Sequence, residues 1–201
     1  MKKKNDDIII KHFESPDQKN EYLLISGKTA AAIDVSSTYE AVGRILEEQA
    51  IELKFLLITH AHKSHLQALP ALKKNFGGTF CLHKDELDDL KENSGDLEPD
   101  QYLKDRQILK LGGTKIKVLH TPGHTDGSVC YYVKQANALF SGSTFLRHGF
   151  GQIWGPISME RMHASLKRLS STIPDKTLIY TGSGEWTKLK NEGWIHCMRS
   201  A

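Results

Sequence analysis

Three of the chain's ten histidines fall inside six residues, in the stretch Thr59-His60-Ala61-His62-Lys63-Ser64-His65. The run Phe55-Leu56-Leu57-Ile58 just before them is short and rich in large apolar residues, which reads as a buried strand. Residues two apart on an extended backbone point to the same side, so His60 and His62 present their rings to one point. His65 follows a turn later, where the chain can bend back to that point. Such a gathering adds little as packing and much as a ligand set, because neutral imidazole is the commonest metal ligand. The alternative, solvated loop histidines, sits poorly with three in so short a window.

The other elements come in mixed order. Residues 8–13, 21–26 and 29–34 read as strands, the last two joined by the tight turn Ser26-Gly27-Lys28. Residues 39–48 carry the apolar spacing of an amphipathic helix, with Ser36, Ser37 or Thr38 as its cap. Residues 66–76 are helical in pattern, with Pro70 at a start or a kink and Gly77-Gly78 as the stop. A strand at 79–83 and a short acidic helix at 84–91 lead into 92–106, which reads as a surface loop. Strands at 115–120, 128–133 and 138–140 follow, then a Gly- and aromatic-rich loop from 141 to 156. A helix at 159–169 and a strand at 177–180 complete the pattern. The strands keep ending in polar, glycine-bearing loops, which gathers those loops at one sheet edge, the place where α/β proteins put their chemistry.

Length favours one domain over residues 1–201, with 1–6 as a frayed tail. The Met1-Lys2-Lys3-Lys4 start is followed by Asn5-Asp6-Asp7 rather than an apolar segment, unlike a signal peptide. A net charge of +3 gives no support for nucleic acid or an anionic membrane as partner. No apolar run reaches the length of a membrane span. Cys81, Cys130 and Cys197 form no metal-like pair and read as buried free thiols of a cytoplasmic protein. Nothing argues for or against a homodimer.

Tyr22-Leu23-Leu24, Ala32-Ile33-Asp34, the histidine cluster and Thr121-Pro122-Gly123-His124-Thr125-Asp126-Gly127-Ser128 share a pattern with two later stretches. These are Leu139-Phe140-Ser141-Gly142-Ser143-Thr144 and Thr181-Gly182-Ser183-Gly184. Together they resemble the metallo-β-lactamase fold superfamily, and within it the short glyoxalase-II-like hydrolases. The resemblance implies an α/β fold, a four-layer αββα sandwich of two mixed β-sheets flanked by helices, with a metal cleft at the loop edge. It also implies ligands. One metal of the family is held at positions that are His60, His62 and His124 here. The other is held at positions that read Ser64, His65, Ser143 and Ser183. The first set is intact, and three of the four ligands of the second have become serine.

A serine hydroxyl is a weak, neutral ligand, and two carboxylates that would offset a dication are gone. His65 alone does not hold a second ion, so one metal is expected. Zinc is favoured by the all-histidine set, with iron or manganese as alternatives. Three histidines leave the fourth position of a tetrahedral zinc open to a metal-bound water as nucleophile. Ser64, Ser143 and Ser183 would line that site without acting as a carboxylate base. A thioester, activated ester or lactone then suits the site better than an amide, and the partner is a small-molecule acyl substrate. The resemblance places glutathione binding in a C-terminal helical domain, and the chain ends soon after Ser183, against strict glyoxalase II activity. Ser143 breaks the two-His-one-carboxylate triad of the iron-dependent relatives. The competing reading is a catalytically inactive member that uses the cleft or surface for binding.

Arg147, His148, Phe150 and Trp154 are candidates for a substrate loop, against an ordinary ordered loop with a buried Trp. His120 reads as a residue that supports the ligands, and Asp34, which ends a strand before a helix, as a structural cap or another such support. Asp126, next to His124 in sequence, is the carboxylate to examine as a substitute ligand. His12, His83, His163 and His196 lie apart and read as surface or core side chains.

Overall fold

The computed structural model describes residues 7–197, so the expected tail at 1–6 and the Cys197 side chain lie outside the described residues. Two six-stranded sheets are each built from a contiguous half of the chain. The first comprises β1 (Ile8–Glu14), β2 (Asn20–Ser26), β3 (Thr29–Ile33), β4 (Glu52–Leu57), β5 (Thr79–His83) and β6 (Gln101–Leu103), paired in that order. β1, β2 and β3 pair antiparallel as hairpins, and β3 to β6 pair parallel. Parallel neighbours need crossovers, and right-handed crossovers put their helices on one face. That face carries α1 (Tyr39–Glu48), the short α2 (Lys63–Leu66), α3 (Leu69–Phe76) and α4 (Leu87–Ser94).

The second sheet runs β12 (Thr187–Lys188), β11 (Leu178–Thr181), β10 (Ala138–Gly142), β9 (Val129–Val133), β8 (Thr114–His120) and β7 (Ile108–Leu111). Only β10 and β11 pair parallel, joined by α5 (Pro156–Thr172), and α6 (Gly193–Cys197) lies beside α5. The result is the αββα sandwich of two mixed sheets that the resemblance implies.

Three apolar layers account for it. Leu23, Ile25, Val42, Leu46 and Leu72 fill the space between the first sheet and its helices. Leu24, Phe55, Leu57, Val118, Tyr131 and Phe140 fill the space between the sheets. Leu119, Leu139, Met162, Leu166 and Ile179 lie under α5. β2 is buried along its whole length because both faces are covered, which is why its sequence lacks the alternation of a half-exposed strand. A shift in the β3–β4 register, between Ala30↔Leu53 and Ala31↔Phe55, leaves Lys54 as an extra residue. Leu53 therefore faces the helices while Phe55 faces the other sheet, a phase change a strand without a bulge could not make.

Some expectations need correction. The segment at 92–106 is not a plain loop: α4 runs on to Ser94 and Gln101–Leu103 adds an edge strand. The strand at 108–111 and the ending at 187–197 have no sequence counterpart above. Pro70 stands in the first turn of α3, so it starts a helix rather than kinking one. No side chain of Ser36, Ser37 or Thr38 caps α1. The carboxylate of Glu21, buried on β2, accepts from the backbone N–H groups of Ser36, Ser37 and Thr38 at 2.9, 3.0 and 3.2 Å. It serves the free donors of the helix start from a neighbouring strand.

Candidate metal centre

The loops that follow β4, β8, β10 and β11 meet at one edge of the sandwich. His60 and His62 come from the first sheet and His124 from the turn after β8 in the second. One ligand atom from each of the three lies within 4.8 Å of the others. His60 Nε2 and His62 Nδ1 are 3.2 Å apart, close to the ~3.3 Å that two nitrogens about 2.0–2.1 Å from one tetrahedral ion would show. His124 Nε2 is buried with no hydrogen-bond partner among the described residues. A buried imidazole nitrogen without a partner is costly unless something else occupies its lone pair.

The ring orientations follow from what the other nitrogens touch. The Thr59 hydroxyl donates to Asp34 at 2.7 Å and stands 3.0 Å from His60 Nδ1. With its proton given to Asp34, Thr59 accepts from His60 Nδ1–H, which leaves the lone pair on Nε2. Gln152 O lies 2.9 Å from His124 Nδ1 and fixes that ring the same way. Burial, with the neighbouring imidazoles and Lys19 as smaller causes, pushes His62 down to about 4 and holds His60 well below the usual range. Burial also lowers His124, against the Gln152 bond. All three are neutral at pH 7, which is the ligating form.

Glu86 was missed by the sequence reading. Its fully buried carboxylate accepts from Ala61 N at 2.6 Å and Gly127 N at 2.8 Å. It thereby fastens the loop of His60 and His62 to the turn that carries His124. A Cβ at Gly127 would stand 2.6 Å from the Glu86 side chain, so this approach depends on glycine. Glu86 lies in an acidic run with the exposed Asp85 and Asp88 and the half-buried Asp89, and nothing in its spacing sets it apart.

The remaining candidates divide. Asp34 also accepts from Thr59 N at 2.8 Å, and stands 3.9 Å from His65 Nδ1. His65 is buried with its ring 4.5 Å from that of His60, outside the group of three. Ser64, Ser143 and Ser183 are half-buried in the α2 turn, after β10 and after β11. Asp126 is no substitute ligand: its carboxylate is 68% exposed and paired with Arg161 at 2.5 Å. The acid whose charge acts on His124 is Asp89, half-buried on α4.

Arg147 pairs with Glu185, and His148 N donates to the buried Glu192 at 2.9 Å. Arg147 and His148 line a groove of about 480 Å³ with Trp186, Lys188 and Asn191. Phe150 packs against the layer under α5. Trp154 is 63% exposed rather than buried, and its indole N–H donates to His124 O at 3.0 Å.

His120 does not back up the metal ligands. Its ring stacks on His83 at 4.0 Å and 11°, and its Nε2 contacts Asp126 O at 2.9 Å. With Asp85 the pair forms a second gathering of donors. Parallel rings point their lone pairs side by side rather than at one ion, so the arrangement suits stacking better than ligation.

Gly142 packs onto the support of His60. At φ +51°, a Cβ there would lie 2.5 Å from Thr59 Oγ1. Gly142→Ala is expected to lose about 3 kcal/mol from backbone strain and this clash together. Urea unfolding checks the figure, and a loss below 1 kcal/mol would refute it.

Comparison with known proteins agrees with this fold. The model of the metallo-beta-lactamase superfamily matches residues 15–182. The probable metallo-hydrolase YqgX of Bacillus subtilis is 29% identical over 192 residues, covering 88% of this chain and 90% of that protein. The hydroxyacylglutathione hydrolase of Pelagibacter ubique is 31% identical over 168 residues, 83% of this chain, and the chain spans only 66% of that protein's length. Among solved structures, the BLEG-1 B3 metallo-beta-lactamase superposes with a TM-score of 0.80 at 27% identity, covering 90% of this chain and 95% of that one. From this match and the site it surrounds, the chain belongs to the metallo-beta-lactamase superfamily.

Proposed function

We propose that this protein is a hydrolase of activated acyl compounds, a thioester, activated ester or lactone, working with one divalent ion held by His60, His62 and His124. The observation that carries the reading is the partnerless buried Nε2 of His124 beside the close approach of His60 Nε2 and His62 Nδ1. Zinc fits three neutral imidazoles best, and when bound it supplies Lewis-acid polarisation and activation of water.

The chain's own residues do the rest. Asp34 and Thr59 hold His60 in the ligating tautomer, Gln152 does so for His124, and Trp154 pins the backbone of the His124 turn. Ser64, Ser143 and Ser183 offer hydroxyls that orient water or an acyl oxygen but take up no proton at neutral pH. With no carboxylate base at those positions, the leaving group must depart with little help. That selects thioesters, activated esters and lactones over amides.

Metal content of protein purified without chelator or added metal is the test. About one zinc, iron or manganese per chain, lost on His62→Ala, together with turnover of thioester or lactone substrates, is expected. Failure to take up zinc even on incubation would sink the proposal and favour a binding protein that has kept the fold.

A further inference from the structure

We infer that two copies of this chain pair antiparallel, edge to edge, through β1. Their first sheets then form one continuous sheet, with Ile9 of each copy set against Ile9 of the other.

β1 is the outermost strand of its sheet, and its far side pairs with no strand among the described residues. The turn between β2 and β3 decides which backbone groups β1 leaves open. Ser26 and Thr29 flank the two-residue turn Gly27-Lys28, and the pair that closes such a hairpin exchanges its N–H and C=O bonds. Alternation then directs the backbone of Tyr22, Leu24 and Ser26 to β3, and that of Glu21, Leu23 and Ile25 to β1. Asn20 agrees, since its N–H turns away from β1 to Gly182 O at 2.9 Å. The partners of Glu21, Leu23 and Ile25 are Phe13, Lys11 and Ile9. Ile8, Ile10 and His12 therefore hold their N–H and C=O outward, a row that another strand can complete.

The side chains select that strand. Ile8 and Ile10 pack on the layer between the sheets, which turns Asp7, Ile9 and Lys11 to the helix side. All three are exposed there, Ile9 at 44%. An acid, an apolar residue and a base in that order are complementary to themselves when read in the opposite direction. A two-fold axis must oppose residues of the outward row to one another, so only every second register closes the ladder. Of these, Lys11 on Lys11 repels, and Ile10 on Ile10 leaves Asp7 against Phe13. Ile9 on Ile9 pairs Asp7 with Lys11 on both sides of the axis and lets Ile8 and Ile10 exchange bonds across it. The other edges lack this. β6 and β12 have three and two residues, and β7 shows Lys110 beside Lys115, like charges that keep a second strand away.

The test is sedimentation velocity of the full chain at low salt, from about 1 µM to about 1 mM. A monomer–dimer equilibrium is expected. Ile9→Lys should raise its dissociation constant at least tenfold, and Asp7→Lys or Lys11→Asp alone about threefold or more. The chain carrying both charge changes should return to within about twofold of the unmodified one, because the pairs are restored with their signs exchanged. Disulfide trapping reads the register. In a Cys197→Ser background with oxidised glutathione, Ile9→Cys should give a covalent dimer, and Ile10→Cys and Lys11→Cys should not. Facing residues that share no backbone bonds stand about 4.5 Å apart at Cα, within reach of a disulfide. Circular dichroism verifies that each variant is folded. A chain that stays monomeric to about 1 mM would overturn the proposal. So would a dimer indifferent to Ile9→Lys, or trapping at Ile10 or Lys11 in place of Ile9.

Discussion

Glu86→Ala is expected to destabilise the protein by about 4 kcal/mol at pH 7, measured by urea unfolding. The substitution strands the buried N–H groups of Ala61 and Gly127, each worth roughly 1–3 kcal/mol when orphaned, and leaves space where the side chain was. Glu86→Gln keeps one accepting oxygen and should lose about half as much. The same carboxylate predicts a pH dependence. Burial lifts Glu86 from 4.5 to about 7, against hydrogen bonds from Thr125, Ala61 and Gly127. The native state then keeps a proton that the unfolded chain releases from about pH 4.5 upward. This group's contribution is therefore most favourable below about pH 4.5, declines as pH rises to about 7, and levels off above that. The total change is on the order of 3 kcal/mol. Glu86→Gln should flatten that part of the profile. A wild-type minus Gln difference that instead rises over this window would show that the bonds to the anion outweigh its desolvation.

Asp34→Ala should act on metal and fold together. It removes the acceptor of Thr59 N and Thr59 Oγ1, and with it the bond that orients the Thr59 hydroxyl towards His60. It also leaves alanine at φ +51°, a conformation that aspartate tolerates better. A stability loss of about 3 kcal/mol and a 10- to 100-fold weaker zinc affinity are expected. Asp34→Asn, which retains one acceptor and the backbone preference, should recover most of the stability and part of the affinity. Zinc binding to Asp34→Ala that matches the unmodified chain would mean that the tautomer of His60 is set by the ion alone.

What could be read from the sequence divides along physical lines. The strand before His60, the α1 face and the Thr-Pro-Gly-His turn carry their signals locally, in apolar period and turn chemistry, and the structure places them as expected. The approach of His60 and His62 was legible because histidines two apart on an extended segment can converge without knowledge of the fold, whereas His124 joined them only through the family resemblance. Ile108–Leu111 and Gln101–Leu103 are edge strands of four and three residues, too short for alternation to stand out. Glu21 and Glu86 look like ordinary surface acids until the packing shows what they accept from. Asp126 fails for the complementary reason. Its nearness to His124 is nearness along the chain, and the turn directs its side chain outward to Arg161.

The contiguous construction of the two sheets has a further consequence. Every strand of the first lies before residue 104 and every strand of the second after residue 107, joined by a connection that is exposed at residues 104–106. His60 and His62 belong to one half and His124 to the other, so neither fragment of a chain cut in this connection owns the ligand set. If the proposed one-metal site forms, reassembly of the two pieces is expected to be reported by the return of zinc uptake. The cut molecule would then be a split sensor read by the ion that its joined halves share.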